Sequence, residues 1–552
     1  MIYIHNMKRT LFILLSAFAV GLGNALACTN LIVGKKASKD GSVMITYSCD
    51  DYGAYGFMNW QPGGKHKKGE MRALYHYESN NYLGEIPEAK ETYSVIGLMN
   101  EFQLTIHETT FGGREELEDT TGLFDYGSLM YVTLQRARNA REAIKVMAGL
   151  VEEYGYCSNG ESFSIADPNE VWILEMIGKG PGRKGAVWVA VRIPDDCISA
   201  HANQSRIRQF PLKDKENCLY SKDVISFARE KGYFSGKDEE FSFQAAYAPT
   251  DFGAQRFCEA RVWSFFNRWA AEDMKPYLGY AMGETGADPM PLYVKPKQPL
   301  SVQDVKEMMR DHYEGTPLSV LNDPGMGPWE MPYRPTPLSF EVDGKQYFNE
   351  RPISTQQTSC YYVSQMRSWL PDYIGGVTWF GNDDANMTAP TPVYCCTVEA
   401  PDCYSVKTAN AFNFSLRSAY WVQNWVSNMV YYRYKDLFPE LKAVRDQLDT
   451  DFNQLVADTD KQAQTMSEAE AKKFLSAFSH RAAQGMQNQW VELAQNLIVK
   501  YNDMTVKKMD ENGRYLKTPG GNPRPVTRPG YPETFRRQLI KQTGDRFLKP
   551  GQ

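Results

Sequence analysis

The sequence predicts a mixed α+β protein, and three patterns support this class. Two short β-rich runs, residues 31–33 and 43–47, flank a turn-forming stretch at 39–42 and predict a hairpin. Apolar residues recur at three- and four-residue steps within 411–509, which predicts a helical C-terminal part. Three more β-rich runs separated by turn signals predict a strand meander over 162–166, 171–177 and 186–193. Strands and helices arranged in this order are typical of a layered α+β fold.

Helix and domain boundaries follow from capping and composition. Helices are predicted over 129–138 and 143–154, the second preceded by Asn139 with Glu142 as a capping box. Ser467 with Glu470 predicts the start of another helix. Ten of the 30 prolines lie between Asp288 and Pro337, which predicts long loops there. We therefore predict a domain over 28–400, with a proline-rich insertion around 288–337, and a mainly helical region over 401–552 packed on it.

Composition excludes several classes of protein. The 552 residues are 42% hydrophobic and 23% charged, close to the globular average, which excludes a disordered or fibrous chain. The formal net charge is −5 and no Lys/Arg-rich run occurs, so no nucleic-acid partner is expected. The seven histidines are scattered and never form a metal-binding motif such as HExxH, so neither a metal nor a cofactor is expected.

The N-terminus has the pattern of a secretory signal peptide over residues 1–27. Lys8 and Arg9 precede an apolar run at 11–20 that is too short to span a bilayer, and Ala25-Leu26-Ala27 supplies a small-x-small cleavage site. No later segment holds 18 consecutive apolar residues, so no transmembrane segment is predicted. We expect an exported protein, periplasmic or secreted, whose mature chain begins at Cys28.

Cleavage after Ala27 places a thiol and a free α-amine on one residue, Cys28. In one interpretation Cys28 is a nucleophile, because an α-amine with a pKa of roughly 7.7–8 can accept the proton of a thiol with a pKa near 8.5. Such a nucleophile carries its own base and needs no histidine. In the other, Cys28 is a lipid-modified anchor, although the recognition site of bacterial lipoproteins usually has Leu where Ala25 stands.

Stretches along most of the mature chain resemble one peptidase family. They include CTNLIVGKKASKDGS at 28–42, ETTFGGR at 108–114, GESFSIAD at 160–167, RDHYEGTP at 310–317 and WFGNDD at 379–384. In this order they resemble the C69 (formerly U34) family of dipeptidases. These dipeptidases are N-terminal nucleophile hydrolases, related to choloylglycine hydrolases and secernins. The resemblance implies a four-layer αββα sandwich, extended here by the helical C-terminal region.

The resemblance also implies site residues. Cys28 matches the nucleophile, and Asp50 matches an acidic residue that holds the amine or thiol of the nucleophile. Asn203 matches an Asn that contacts the substrate or the oxyanion. Asp50 and Asn203 are also compatible with simple turn capping. Arg261 resembles a remote Arg near the site, and Arg256 is close enough to leave that choice open.

Four further positions bear on the site. Tyr47 stands where related hydrolases often place an Arg or Lys that supports the thiolate, so the source of that support is open. Glu108 and Thr109 lie where relatives supply a second oxyanion donor, and the sequence does not assign that role. We expect His312 to be a hydrogen-bonded structural residue, and Glu161 to be structural as well.

The function expected from these features is an exported cysteine dipeptidase. A dipeptide carries an ammonium and a carboxylate, so its pocket should offer an acidic side chain, near Asp50 or Glu108, and an Arg. Two alternatives stay open: a related non-peptide amide hydrolase acting on conjugated bile salts, acyl-homoserine lactones or β-lactams, and a lipid-anchored surface protein acylated at Cys28. The sequence also leaves a homo-oligomer open.

Overall fold

A computed structural model describes residues 27–334 and 338–552 of the chain. The predicted signal peptide falls outside these ranges except for Ala27, the first residue of the first strand. The cleavable leader therefore stays a prediction.

The strands of the described residues are short, with a few longer ones that form the sheets. They are β1 Ala27–Val33, β2 Val43–Asp50, β3 Trp60–Gln61, β4 Gly64–Lys65, β5 Met71–Tyr75, β6 Tyr82–Pro87, β7 Glu91–Thr92, β8 Val95–Ile96, β9 Met99–Asn100, β10 Thr105–Gly112, β11 Gly160–Ala166, β12 Val171–Gly178, β13 Ala186–Ile193, β14 Ile198–His201, β15 Cys218–Tyr220, β16 Tyr293–Val294, β17 Ser339–Val342, β18 Lys345–Phe348, β19 Thr358–Met366, β20 Val377–Asn382, β21 Thr391–Tyr394, β22 Val506–Lys507 and β23 Val526–Thr527.

The longest helices lie in the C-terminal third. The α-helices of the described residues are α1 Tyr126–Leu134, α2 Ala140–Tyr154, α3 Val224–Glu230, α4 Phe243–Tyr247, α5 Ala260–Trp269, α6 Leu278–Ala281, α7 Val302–Met308, α8 Asp372–Gly375, α9 Ala419–Tyr432, α10 Tyr434–Ala463, α11 Glu468–Tyr501 and α12 Glu533–Thr543.

A seven-stranded sheet carries the predicted hairpin near its centre. Its strand order is β16-β14-β1-β2-β19-β20-β21. In the antiparallel register of β1 with β2, Cys28 lies opposite Cys49, which in turn lies opposite Cys360 of β19. Strand β14 flanks β1 on the other side, with His201 opposite Asn30. Cys28 is thus held between two neighbouring strands.

An eight-stranded sheet contains the predicted meander. Its order is β15-β13-β12-β11-β10-β9-β8-β3, and β11, β12 and β13 begin and end within two residues of their predicted bounds. The two sheets pack together, since β1 and β2 contact β10 and β11. The space between them is where the side chains of β1 meet those of β10.

Helices cover both sheets, so the fold is mixed α and β, in agreement with the predicted class. Helix α1 packs against β10, and α2 packs against β11, β12 and β13. Helices α7, α9 and α11 pack against β19, β20 and β21 of the seven-stranded sheet.

Local capping rules place several helix starts correctly. The side chain of Asn139 accepts a hydrogen bond from the Glu142 amide at 3.0 Å, and α2 begins at Ala140, three residues before the predicted start. The Glu142 carboxylate accepts from the Arg138 amide and not from Asn139, so the second half of the predicted capping box is not formed. The Glu470 carboxylate accepts hydrogen bonds from the amide and hydroxyl of Ser467, where α11 begins. Helix α1 begins three residues before the prediction, because Asp125 caps it by accepting from the Ser128 amide.

The C-terminal region is helical as predicted, with α9 to α11 spanning residues 419–501. The proposed boundary at residue 400 stays a prediction. Within the proline-rich stretch at 288–337, the described residues hold only β16, α7 and short single turns; residues 335–337 lie outside them.

Among the residues that the structure describes, no helix combines the length and the apolar character needed to cross a membrane.

Candidate active site

Cys28 lies in β1 with its side chain buried between the two sheets, 2% exposed. Its main-chain nitrogen donates to Asn203 Oδ1 at 2.8 Å. Its Sγ lies 3.8 Å from the hydroxyl oxygen of Tyr47 and 3.7 Å from Glu108 Oε1. Burial, and then the charge of Glu108, raise the pKa of the Cys28 thiol well above its ordinary value. In the protein without substrate, the sulfur of Cys28 is therefore a neutral thiol.

Asn203 follows β14 in a left-handed conformation, with φ of 63°. Asn adopts this region more readily than most residues, because its short polar side chain bonds locally. Its Oδ1 accepts from Cys28 and from Arg261 Nη2, at 2.8 and 3.0 Å, and its Nδ2 donates to the Thr110 carbonyl at 2.8 Å. The predicted site residue therefore contacts the nitrogen of the predicted nucleophile.

Arg261 lies in the first turn of α5, directly after a π-helical turn at Ala254–Glu259. Its five N–H groups are all used: Nε donates to the Phe257 carbonyl, Nη1 to Cys28 O and Thr29 Oγ1, and Nη2 to Ala202 O and Asn203 Oδ1, at 2.5 to 3.0 Å. A guanidinium group with no spare donor holds the backbone of Cys28 in place and has none left for a substrate carboxylate.

Arg256, the other candidate from the sequence, points elsewhere. It pairs with Glu350 at 2.5 Å, and its Nη1 lies 2.8 Å from Met282 Sδ. The structure therefore brings Arg261, and not Arg256, to Cys28.

Asp50 ends β2 and is fully buried. It forms an ion pair with Arg351 and accepts from Thr358 Oγ1 at 2.7 Å. In the strand register Asp50 lies opposite Ala27, and among the described residues no hydrogen bond joins it to Cys28. Arg351 also donates to the carbonyl of Ala27, the residue before Cys28, at 3.2 Å, so Arg351 links Asp50 to this end of β1.

Arg351 was missed by the sequence reasoning. Its position follows the β17–β18 hairpin, about 300 residues from Asp50, and no local pattern marks it. Only the pairing of β19 with β2 brings this segment beside Asp50.

Tyr47 and Glu108 form a hydrogen bond beside the sulfur. The Tyr47 hydroxyl donates to Glu108 Oε1 at 2.7 Å, and Asn30 Nδ2 donates to the Glu108 carbonyl at 2.7 Å. Burial raises the pKa of the Glu108 carboxyl to about 7, against the lowering effect of Tyr47. Where relatives often place a cation, this protein therefore has a phenol that bonds a carboxyl group.

Glu161, expected to be merely structural, belongs to the same cluster. It lies on β11 opposite Thr110, two residues along β10 from Glu108, so the two carboxyl groups share one face of the sheet. Thr110 Oγ1 donates to Glu161, and the carboxyl groups of Glu161 and Glu108 are within hydrogen-bonding contact of each other. The available signal was a carboxylate inside a buried strand of small and apolar residues.

Thr109, beside Glu108, faces a histidine. Its Oγ1 and Ser164 Oγ lie 2.7 Å from the two ring nitrogens of His201. Burial lowers the pKa of His201, and likewise of His107, to about 3, so both are neutral at physiological pH. His312 bonds Glu314 at 2.9 Å, as expected of a structural residue. In the described parts of the chain, no histidine hydrogen-bonds Cys28.

One acidic cluster lies away from Cys28. Carboxylate oxygens of Glu307, Asp446 and Asp449 lie within 4.8 Å of one another. Asp449 pairs with Arg310 at 2.7 Å and Asp446 pairs with Arg445 at 2.8 Å, so guanidinium groups already balance this charge. We place no metal ion there.

Comparison of the sequence with models of protein families gives a match that covers most of the chain. A model described as peptidase family C69 matches residues 27–447, well over half of the chain. The protein belongs to peptidase family C69. The family resemblance seen in the sequence is thereby confirmed, and C69 membership makes the protein a peptidase.

Curated C69-like relatives cover much of the chain. A "probable dipeptidase" from Salmonella dublin is 29% identical over 406 residues, 68% of this chain and 84% of the relative. A "probable dipeptidase" from Latilactobacillus sakei is 24% identical over 501 residues, 86% and 95% of the two chains. "Dipeptidase A" from Lactobacillus helveticus is 25% identical over 508 residues, 88% and 98% of the two chains.

Proposed function

We propose that the protein is an exported cysteine dipeptidase in which Cys28, exposed as the first residue of the mature chain, is the nucleophile. Membership of peptidase family C69 supports peptide hydrolysis, and the relatives named dipeptidases support short peptides as substrates. Export rests on the leader pattern that precedes Cys28.

One observation carries the proposal for Cys28. The nitrogen of this residue is held at 2.8 Å by Asn203 Oδ1, and its carbonyl oxygen at 2.5 Å by Arg261. Both backbone atoms of Cys28 are therefore fixed, which orients the thiol and the future α-amine relative to each other. A preset geometry of this kind is what an amine needs to act as base for a thiol on the same residue.

Positive charge favours the neutral, basic form of that amine. Arg261 shares the Asn203 oxygen with the Cys28 nitrogen. Arg351 donates to the carbonyl of Ala27, which the proposed cleavage removes, so its guanidinium group is left beside the new amine. Two guanidinium groups beside an amine disfavour its protonated form, whereas Asp50 balances only one of them.

The reaction then takes two steps. The amine accepts the thiol proton, Cys28 Sγ attacks the peptide carbonyl, and the proton passes to the departing amine as the C–N bond breaks. Water, losing a proton to the Cys28 amine, attacks the resulting thioester, and the S–C bond breaks to return the thiol. Arg261 and Asn203 hold the residue throughout; they are positioning residues.

The layers support the four-layer sandwich of N-terminal nucleophile hydrolases as the fold. One sheet carries Cys28 at the start of a central strand, the second sheet packs on it, and helices cover each. The helical region after residue 400 is proposed as an extension that packs on β20 and β21 through α9 and α11.

The test is replacement of Cys28 in protein expressed with its own leader. Cys28→Ala should abolish dipeptide hydrolysis in a folded protein, and Cys28→Ser should retain little activity. Cys49→Ser is the matched control, since Cys49 lies directly opposite on β2, and it should keep its activity. Substantial hydrolysis by the Ala variant would refute the nucleophile.

Mass spectrometry of the mature N-terminus tests export and the free amine. We expect a chain beginning at an unmodified Cys28 that gains one iodoacetamide adduct there. A lipid on Cys28 would contradict the proposed enzyme and would indicate a lipid-anchored surface protein. Hydrolysis of conjugated bile salts in preference to dipeptides would favour the non-peptide amide hydrolase.

A further inference from the structure

Glu108 and Glu161 form a buried acidic pair beside the nucleophile. Glu108 is 1% exposed and Glu161 is fully buried, and they project from the neighbouring strands β10 and β11. Glu108 Oε1 lies 3.7 Å from Cys28 Sγ, whereas Glu161 lies behind Glu108 and bonds Thr110. The pair thus extends from the sulfur into the eight-stranded sheet.

Each carboxyl group has one oxygen without a donor. Among the described residues, Glu108 Oε2 and Glu161 Oε2 receive no hydrogen bond from the protein, and neither residue forms an ion pair with a Lys, Arg or His. Two other buried carboxylates are satisfied, Asp50 by Arg351 and Glu175 by Ser205 and the Arg206 amide. Asp311 and Asp449 also have an oxygen without a hydrogen bond, but each pairs with an arginine. A buried carboxylate without a cation is costly to ionise, so a cationic ligand placed between the two groups would remove this cost.

Two facing acceptors can be stable only with a proton or a cation between them. Without substrate the two groups share a proton, because like charges this close cannot both ionise readily. Burial, and then the charge of Glu108, raise the pKa of the Glu161 carboxyl well above its ordinary value. A cation that arrives between them can replace this proton.

The distance from Glu108 to the sulfur of Cys28 fits the position of the α-ammonium group in a bound peptide. The α-nitrogen of a peptide is about 2.5 Å from the first carbonyl carbon, which must come within about 3–3.5 Å of Cys28 Sγ for attack. The α-ammonium nitrogen must therefore lie within roughly 6 Å of the sulfur, and a carboxylate oxygen that binds it within roughly 9 Å. Glu108 meets this condition at 3.7 Å.

We propose that Glu108 and Glu161 bind the α-ammonium group of the peptide substrate, so that the enzyme cleaves after the first residue and acts on a free N-terminus far faster than on a blocked one. The inference deepens the proposed function and rests on it for the role of Cys28. The acyl-enzyme is then an aminoacyl thioester on Cys28. A peptide with an acylated N-terminus has no cation to place between the two carboxyl groups. A peptide with further residues before the cleaved bond has its ammonium group too far from the sulfur to reach them.

The surroundings extend the acidic character to the surface. Glu78, exposed on the turn between β5 and β6, accepts a hydrogen bond from the Tyr126 hydroxyl at 2.9 Å, and its charge also raises the pKa of Glu108. Negative charge at the surface near the site attracts an ammonium group. The titratable groups that face the pair are Cys28, Tyr47, Tyr77, Glu78, Tyr126 and Tyr156.

Substrate binding also acts on the nucleophile. The charge of Glu108 is one of the causes that raise the pKa of the Cys28 thiol. An ammonium group bound to Glu108 offsets this charge and favours the thiolate, so a free N-terminus should promote its own cleavage.

The decisive variant is Glu161→Gln, which keeps the shape of the side chain and does not touch Cys28. We compare alanyl-alanine with N-acetyl-alanyl-alanine. The variant should lose at least about 10-fold in kcat/KM on the free dipeptide, mainly through KM, and nothing on the acetylated one. Glu175→Gln, a buried carboxyl on the opposite face of the same sheet, should affect both substrates equally. Equal losses for both substrates in Glu161→Gln would overturn the proposal.

Binding to Cys28→Ser separates this inference from the proposed function. By titration calorimetry, alanyl-alanine should bind at least about 10-fold more tightly than its N-acetyl form, with release of about one proton near pH 7, and adding Glu161→Gln should remove both effects. Failure of alanyl-alanine to bind, or equal binding of the two peptides, contradicts the ammonium site. Hydrolysis retained by Cys28→Ala contradicts only the nucleophile, because the binding preference does not depend on turnover.

Discussion

The guanidinium group of Arg261 donates a hydrogen bond to the carbonyl oxygen of Cys28 at 2.5 Å and so joins helix α5 to the residue proposed as nucleophile. The residues lie 233 positions apart in the chain. The same guanidinium group bonds Asn203, which in turn accepts from the Cys28 nitrogen. One side chain therefore fixes both the strand that carries the nucleophile and the loop that faces it.

Arg261→Lys should lower kcat by at least about 100-fold while KM changes little. A lysine has one nitrogen and cannot reproduce five donors in a planar fork, so the Cys28 backbone shifts, and a displacement of about 1 Å is enough for such a loss. Steady-state kinetics on a free dipeptide measure the split. Arg256 lies five residues earlier and pairs with Glu350 instead. The control variant Arg256→Lys should therefore keep kcat within a few-fold of the parent. A large rise in KM with unchanged kcat would instead assign Arg261 to substrate binding.

Asp50→Asn should destabilise the protein by about 3–5 kcal/mol, because Arg351 is then left as a buried charge without its partner. Urea unfolding measures the loss. Asp402→Asn is the matched control, since its ion pair with Arg417 is exposed, and it should cost less than about 1 kcal/mol.

The double variant Asp50→Leu with Arg351→Met separates stability from activity. Removing both charges should recover most of the stability that Asp50→Asn loses. Hydrolysis should stay low, because the guanidinium group of Arg351 no longer lies beside the Cys28 nitrogen and only that of Arg261 remains. Full recovery of activity would show that the ion pair serves stability alone.

The sequence predicts those parts of the molecule that local chemistry determines. Short β-rich runs bounded by turn residues predicted β11 to β13. The capping side chains of Asn139 and Ser467 predicted two helix starts, because each acts on residues three positions away. Cys28 also follows from local chemistry, since the leader pattern ends directly before it.

The parts that the sequence does not predict depend on long-range pairing. Arg351 meets Asp50 only because β19 pairs with β2, and Glu161 meets Glu108 only because the register of β10 with β11 puts them on one face. Arg261 and Arg256 differ by five positions, so the turn of the helix, and not the sequence pattern, decides which of them reaches Cys28.

Tyr47→Phe should slow alkylation of Cys28 by iodoacetamide and move its pH midpoint upward. The Tyr47 hydroxyl lies 3.8 Å from the sulfur, and the hydrogen bond between them lowers the pKa of the Cys28 thiol; the variant lacks this hydroxyl. Mass spectrometry of the labelled residue over a pH series measures the rate. Tyr362→Phe, directly opposite on β19, is the control and should leave the midpoint where it is. An unchanged midpoint in Tyr47→Phe would remove Tyr47 from thiolate support.

Glu161→Gln should make the protein more stable at pH 8, although it impairs binding of free peptides. Burial raises the pKa of Glu161 and takes that of Glu108 to about 7, both above the unfolded value near 4.5. The folded state thus binds more protons than the unfolded state from about pH 4.5 upward, and stability falls as pH rises through the folded pKa values. The glutamine removes this penalty, which is present at pH 8 and absent near pH 4. Urea unfolding at both pH values measures it. Glu175→Gln should instead destabilise, because Glu175 accepts hydrogen bonds from Ser205 and the Arg206 amide. A Glu161→Gln protein less stable than the parent at pH 8 would show that the Glu161 carboxylate is satisfied within the fold and is not kept for a ligand.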